Sequence, residues 1–175
     1  MSFYTFYTKN EALNKLDLLT SEYKLFSYDS EKADGSKIFF LCTYNLLYND
    51  IITNNESIHY YENYNDNQNI KLFFDIDCKI DQLDKNILEN KDDFLDNVIV
   101  VIKKLLDKIN INYDTQKILI LDASTNQKYS FHIIFPNIIM NNVIQIKLLL
   151  NDIDDYNNTK KYIDNAVYRN TCFRT

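Results

Sequence analysis

Residues 70–77, Ile70-Lys71-Leu72-Phe73-Phe74-Asp75-Ile76-Asp77, decide how the rest of the chain is read. The run is rich in β-forming residues and ends in carboxylates, the pattern of a buried strand that carries charge to a site. Side chains alternate along a strand, so Asp75 and Asp77 point one way while Phe74 and Ile76 point into the core behind them. Two carboxylates that close repel each other, and one pKa rises unless a cation sits between them. Hard oxygen donors of this kind suit Mg²⁺ or Mn²⁺. An Asp pair at a strand end is also common as a cap for backbone amides, so the pair needs support from elsewhere.

Downstream of this strand, Leu95, Val98, Ile99, Ile102, Leu105, Leu106 and Ile109 recur at three- and four-residue steps, which predicts a long amphipathic helix lying on a sheet. Lys117 to Leu121 and Tyr129 to Phe135 read as a strand pair joined by the polar turn Asp122 to Gln127. Val143 to Leu150 reads as a helix and Asn165 to Phe173 as a final strand. Upstream, a helix is expected from Asn10 to about Ser21. A hairpin of Tyr23 to Tyr28 and Lys37 to Tyr44 should turn at Asp34-Gly35, followed by a short strand at Ser57 to Tyr61. The Asn-rich stretch from Asn63 to Asn69 has almost no apolar residue and marks the best internal boundary. The expectation is one domain over 1–175, with an N-terminal α/β unit at 1–69 and the motif-bearing part at 70–175.

Composition removes several classes of function. With one Gly (Gly35) and one Pro (Pro136), no glycine-rich phosphate cradle can be built, so a nucleotide must be held by side chains. The net charge of −6 speaks against coating nucleic acid by bulk charge; a polyanion site must be local. Cys42, Cys78 and Cys172 are odd in number and far apart, with no CxxC pair and only two His beside them. Neither a disulfide framework nor a structural zinc site is supported, and an intracellular, reducing compartment fits. The N-terminus lacks a signal-peptide pattern and no apolar stretch approaches membrane-spanning length, so no membrane partner is expected.

Two further constellations support the Asp pair. In Lys128-Tyr129-Ser130-Phe131-His132-Ile133-Ile134-Phe135 the alternation puts Lys128, Ser130 and His132 on one face and the apolar residues on the other. A cation, a hydroxyl and an imidazole in a row, ~6–7 Å apart at the strand rise, suit the spread oxygens of a triphosphate. A Ser/His hydrolase is the poorer reading, since residues two apart on a strand diverge and no nucleophile elbow is present. In the third stretch, residues 162–174, an acid with apolar neighbours, Asp164, is followed by Arg169 and Arg174, which are both of the chain's arginines. Acids to bind a cation followed by Lys, Ser, His and Arg to bind a polyanion make the combination stronger than its parts.

The ordered set IKLFFDIDC, LDASTNQKYSFHIIFP and YIDNAVYRNTCFR resembles the three motifs of the archaeo-eukaryotic primase superfamily, in its PrimPol-like branch that includes primases of large DNA viruses. The text LFSYDSEKADGSKIFFLCTYNLLY and the HYYE run also resemble the region before the first motif, so the similarity touches most of residues 20–175. The resemblance implies an α+β fold: an RNA-recognition-like antiparallel palm with packed helices behind a small N-terminal α/β unit. It implies template-directed nucleotidyl transfer from NTPs or dNTPs on single-stranded DNA, in replication or damage tolerance, with two divalent ions, Mg²⁺ or Mn²⁺. Carried over by position, Asp75, Asp77 and Asp164 are the catalytic, metal-binding acids. Lys128, Ser130, His132 and Arg174 bind the triphosphate, while Lys160, Lys161 and Arg169 lie where template phosphates could run. The implied location is the nucleus, or a cytoplasmic replication site for a viral protein.

Three features depart from the family pattern. Only 31 residues separate His132 from Asp164, Phe131 stands where a basic residue is often found, and the sequence stops at Thr175 while relatives continue. The expectation drawn from the last is a split or truncated product that needs a helicase or a separate C-terminal polypeptide. The alternative is a remnant that binds nucleotide or a replication partner with little polymerisation. A DxD sugar-nucleotide transferase is a lesser alternative that leaves the SxH row unexplained.

Overall fold

A computed structural model describes residues 3–32, 35–53, 59–65, 68–83, 90–114, 117–153 and 160–168, and the backbone of 172–174. The chain divides into two units, Met1–Asn65 with Thr171–Thr175, and Asp66–Asn170.

The first unit is built on an antiparallel sheet of order β1-β3-β2-β4-β8, from β1 (Tyr4–Phe6), β2 (Lys24–Asp29), β3 (Lys37–Cys42), β4 (Tyr60–Asn63) and β8 (Cys172–Arg174). The expected hairpin is present, with Phe26 opposite Phe40 and Asp29 opposite Lys37. Gly35 has φ +75°, the left-handed conformation that a residue without Cβ enters at little cost. Central strands are covered on both faces, which explains their unbroken apolar text. Leu25 and Leu41 pack with Ala12 of α1 (Lys9–Leu16), whereas Phe26, Phe40 and Cys42 pack with Leu47 of α2 (Tyr44–Thr53) and with Tyr60. Burial pushes the Cys42 thiol up to about 12, so it serves as a small apolar side chain.

Local chemistry sets the bounds of these helices. Thr8 accepts from the Glu11 amide and its hydroxyl donates to the Glu11 carboxylate, capping α1. The helix stops at Leu16, short of the expected Ser21, because Leu18 and Leu19 donate to Lys15 and Leu16 in tight i−3 turns that leave Leu18 exposed. The expected strand to Tyr44 ends at Cys42. Thr43 accepts from the Leu46 amide through its hydroxyl and from the Leu47 amide through its carbonyl, turning the chain into α2, which the sequence reading lacks. Strand β4 begins at Tyr60; Ser57 and Ile58 lie outside the described residues.

The second unit carries a three-stranded antiparallel sheet of order β5-β7-β6, from β5 (Ile70–Lys79), β6 (Leu119–Asp122) and β7 (Lys128–Met140). Ile70, Leu72, Phe74, Ile76 and Cys78 are buried on one face of β5, matched by Phe131, Ile133 and Phe135 of β7. Helix α3 (Lys91–Lys108) covers this face with Phe94, Val98, Val101, Ile102, Leu105 and Leu106 buried; Phe94 meets the rings of Tyr129, Phe131 and Tyr162. Its ends are well determined. Asn90 accepts from the amides of Asp92 and Asp93, two acids favoured at a helix N-terminus. At the other end Asn110 takes φ +56°, with Asn110 N–H to Asp107 and Ile111 N–H to Leu106, a Schellman closure.

Strand β7 runs past the expected Phe135 to Met140. Pro136 is accommodated because the register jumps from Leu72–Phe135 to Lys71–Ile139, leaving residues 136–138 out of the pairing where no amide donor is needed. Helix α4 (Val143–Asn151) follows, capped by Asn142.

The expected strand 165–173 is corrected. Residues 165–168 form a turn, and the strand is Cys172–Arg174, paired with β4 rather than with the sheet of the second unit. There β4 offers an edge of backbone donors and acceptors that β8 satisfies. No described helix is long and apolar enough to cross a membrane.

Candidate active site

The other face of the second unit's sheet collects the charged residues. Register sets Asp75 opposite His132, Asp77 opposite Ser130, and Lys79 opposite Lys128. Residues directly opposite in an antiparallel pair have Cβ atoms ~4.5–5.5 Å apart, so acids and donors from distant motifs become neighbours. His132 Nε2 stands 3.5 Å from Asp75 Oδ1, with the two side chains only 14% and 16% exposed. Lys128 Nζ reaches diagonally to Asp77 Oδ2 at 2.5 Å in a more open position. Ser130 is buried at 7% exposure.

Asp164 arrives from the other edge of β5. Ile163 bridges to Ile76 in antiparallel fashion, and the Asp164 amide donates to the Asp75 carbonyl at 2.8 Å. Its carboxylate accepts from the Ala166 amide at 2.7 Å. Tyr168 closes the same corner: its hydroxyl donates to the Phe73 carbonyl at 3.1 Å and accepts from the Asp75 amide at 3.3 Å, while its ring stacks on Phe73. Burial raises the Tyr168 pKa first and the nearby charges of Asp75 and Asp164 add to the effect, so the hydroxyl stays neutral and able to donate. Sequence reasoning did not single out Tyr168. A tyrosine four residues beyond the third acid was visible, but its two backbone partners, nearly a hundred residues upstream, were not.

The turn before β7 braces the donor row. Ser124 Oγ accepts from the Ser130 amide at 3.1 Å, the Ala123 amide donates to the Ser130 carbonyl, and Thr125 Oγ1 accepts from the amides of Gln127 and Lys128. Asp122 accepts from the Ser124 amide and pairs with Lys91 at 2.6 Å. Hydrogen bonds from Lys91 and Ser124 hold its carboxyl down at about 2. The text LDASTNQK is therefore a structural brace as well as a motif.

Other candidates have local tasks or lie elsewhere. Lys160 Nζ donates to the Asn151 carbonyl at the end of α4, and Lys161 sits over the Tyr162 ring at 4.8 Å. Arg169 lies outside the described residues. Arg174 stands opposite Tyr61 on β8, in the first unit.

Among the described residues, no three His, Cys, Asp or Glu side chains form one metal-binding group. The donor chemistry nevertheless fits a hard divalent cation. Asp75 and Asp77 offer carboxylate oxygens on one face of a strand, and backbone pairing holds Asp164 beside Asp75.

An antiparallel sheet that sets a DxD strand against a KxSxH strand, with a third acid tied to the first, defines a primase-type domain. The chain belongs to the archaeo-eukaryotic primase superfamily, its residues 42–174 matching the family described as C962R protein N-terminal AEP domain. It is similar to the DNA-directed primase/polymerase protein of Bos taurus, 27% identical over 130 residues, 74% of this chain and 23% of that protein. The proteins of the same name from Danio rerio (28% over 133 residues, 74% of this chain, 25% of that protein) and Homo sapiens (25% over 130 residues, 74% of this chain, 23% of that protein) are also similar. The chain spans about a quarter of the length of these curated relatives.

Proposed function

We propose that this chain is a primase-polymerase catalytic core that transfers nucleotides from NTPs or dNTPs to a growing strand on a single-stranded DNA template. The observation that carries the reading is the register: Asp75 faces His132 and Asp77 faces Ser130, so the candidate metal-binding acids and the candidate phosphate-binding donors share one face of the sheet. In this reading Asp75, Asp77 and Asp164 hold divalent ions, Mg²⁺ or Mn²⁺. Divalent ions held by these acids would supply charge compensation for the attacking 3′-hydroxyl and the leaving pyrophosphate. Lys128, Ser130 and His132 would orient the triphosphate, and Lys160, Lys161 and Arg169 would take template phosphates. Tyr168 positions Asp75 through the backbone. Catalysis needs placement and charge compensation from the protein rather than a covalent intermediate.

The test is incorporation of labelled nucleotide on a primed template, and on an unprimed one, with Mg²⁺ or Mn²⁺. Product that disappears with EDTA and in the Asp75→Ala, Asp77→Ala double variant supports the reading; equal product in the variant rejects it. A second reading, nucleotide binding without transfer, draws on the Asp164 carboxylate being occupied by the Ala166 amide. Triphosphate binding with no extension under any of these conditions would select it. A helicase or a separate C-terminal polypeptide supplied in trans is then the partner to add.

A further inference from the structure

The polar row on β5 does not end at the acids. Asp75, Asp77 and Lys79 follow each other at two-residue steps on one face, and facing them are His132, Ser130 and Lys128. The rows are ~6–7 Å apart along the strand. The first two rows set an acid against a donor, whereas the third sets lysine against lysine and so concentrates positive charge at that end of the sheet. Lys128 reaches back to Asp77. Among the described residues no hydrogen bond or ion pair engages the Lys79 ammonium.

Beyond this third row lies a cleft of about 660 Å³, lined by Lys79, Ile80, Asp81, Thr125, Asn126, Gln127 and Lys128. Its volume falls in the range of small-molecule sites. The walls are tied together by backbone: the Ile80 amide donates to the Gln127 carbonyl at 3.0 Å, and the Thr125 amide to the Lys128 carbonyl at 2.8 Å. The cleft therefore exists before a ligand arrives. Two ammoniums and two carboxamides outweigh the single carboxylate of Asp81, and Lys128 belongs to both the cleft and the row of donors.

We infer that this cleft receives the terminal phosphates of a nucleoside triphosphate, and that Lys79 is a specificity residue distinguishing triphosphate from diphosphate. The inference rests on the nucleotide-binding reading above. Lys79 adds to the expected donors because it continues the strand that carries the acids instead of the strand that carries SxH.

The experiment measures thermal shift and calorimetric affinity for dATP, dADP and dAMP, each with Mn²⁺, for the wild-type chain, Lys79→Gln and Lys79→Arg. Lys79 is exposed, so the ligand-free melting temperature of both variants should match the wild type. The expected result is a wild-type preference for dATP over dADP of ~10-fold or more that collapses in Lys79→Gln, is largely kept in Lys79→Arg, and leaves dAMP binding unchanged. A Lys79→Gln variant that keeps the wild-type dATP to dADP ratio, or loses all three ligands in proportion, overturns the inference while the nucleotide-binding reading stands. A wild-type chain that binds none of the three overturns both.

Discussion

The pairs Asp29–Lys37 and Asp77–Lys128 look alike on paper, each an aspartate and a lysine joined across antiparallel strands at 2.7 and 2.5 Å. Their surroundings differ. In the first unit, the Asp29 carboxyl is held below its usual range, chiefly by Lys37 and with help from the Tyr61 hydroxyl, while Lys37 lies 3.5 Å over the Tyr61 ring. That set ties the two hairpin strands to Tyr61 of β4. In the second unit, Asp77 and Lys128 adjoin another acid, an imidazole, a hydroxyl and a cleft. The same ion pair there is one occupant of a larger field of charge. A cross-strand ion pair signals function by what else shares its face.

The strongest way to break this comparison is to remove the acid from each pair. Asp77→Asn should reduce nucleotide incorporation by ~10²–10³-fold, the scale of losing metal-borne charge stabilisation, while Asp29→Asn leaves incorporation unchanged. Steady-state primer extension by both variants checks it. Next in size is Tyr168→Phe, which keeps the stack on Phe73 but strips the hydroxyl from the Phe73 carbonyl and the Asp75 amide. Leaving those buried groups unpaired should cost about 1–3 kcal/mol, read by urea denaturation, with a fall in incorporation that Asp29→Asn does not show.

Smaller still is Lys37→Ala. Its pair is partly open to solvent, with side chains 26% and 53% exposed, so the loss should stay at about 0.2–1 kcal/mol and shrink in high salt. Smallest is Asp122→Asn in the brace before β7. The folded carboxyl titrates at about 2 against 3.8 for the free group, so its contribution is complete above the higher value and is lost as pH falls through the lower one. Wild type and variant should differ slightly in melting temperature near neutrality and converge below pH ~2, with solvent screening at 42% exposure keeping the gap small.

What the sequence made legible was whatever a short window encodes. Alternation over 70–77 and 128–135 put Asp75 and Asp77, and then Lys128, Ser130 and His132, on single faces, and the structure has those parities. The three- and four-residue steps from Leu95 to Ile109 gave α3, whose buried face also takes in Phe94 and Val101. Helix α2 escaped because Tyr44 to Thr53 is full of β-forming residues and its start depends on Thr43 turning back on Leu46 and Leu47. The tie between Asp164 and Asp75, the bridge by Tyr168 and the pairing of β8 with β4 join segments far apart in sequence, and no local period records them. Lys79 was in plain view, but only the register with Lys128 gives it meaning.

The pairing of Asn63 with Cys172 has a consequence for biogenesis. As the ribosome delivers the chain, β4 emerges early and its neighbour β8 comes only after the whole second unit has been made. Until then the outer rim of β4 is an open invitation to strand exchange with other nascent chains. Closing so long a loop also carries an entropic cost, and long-range pairings of this kind form slowly.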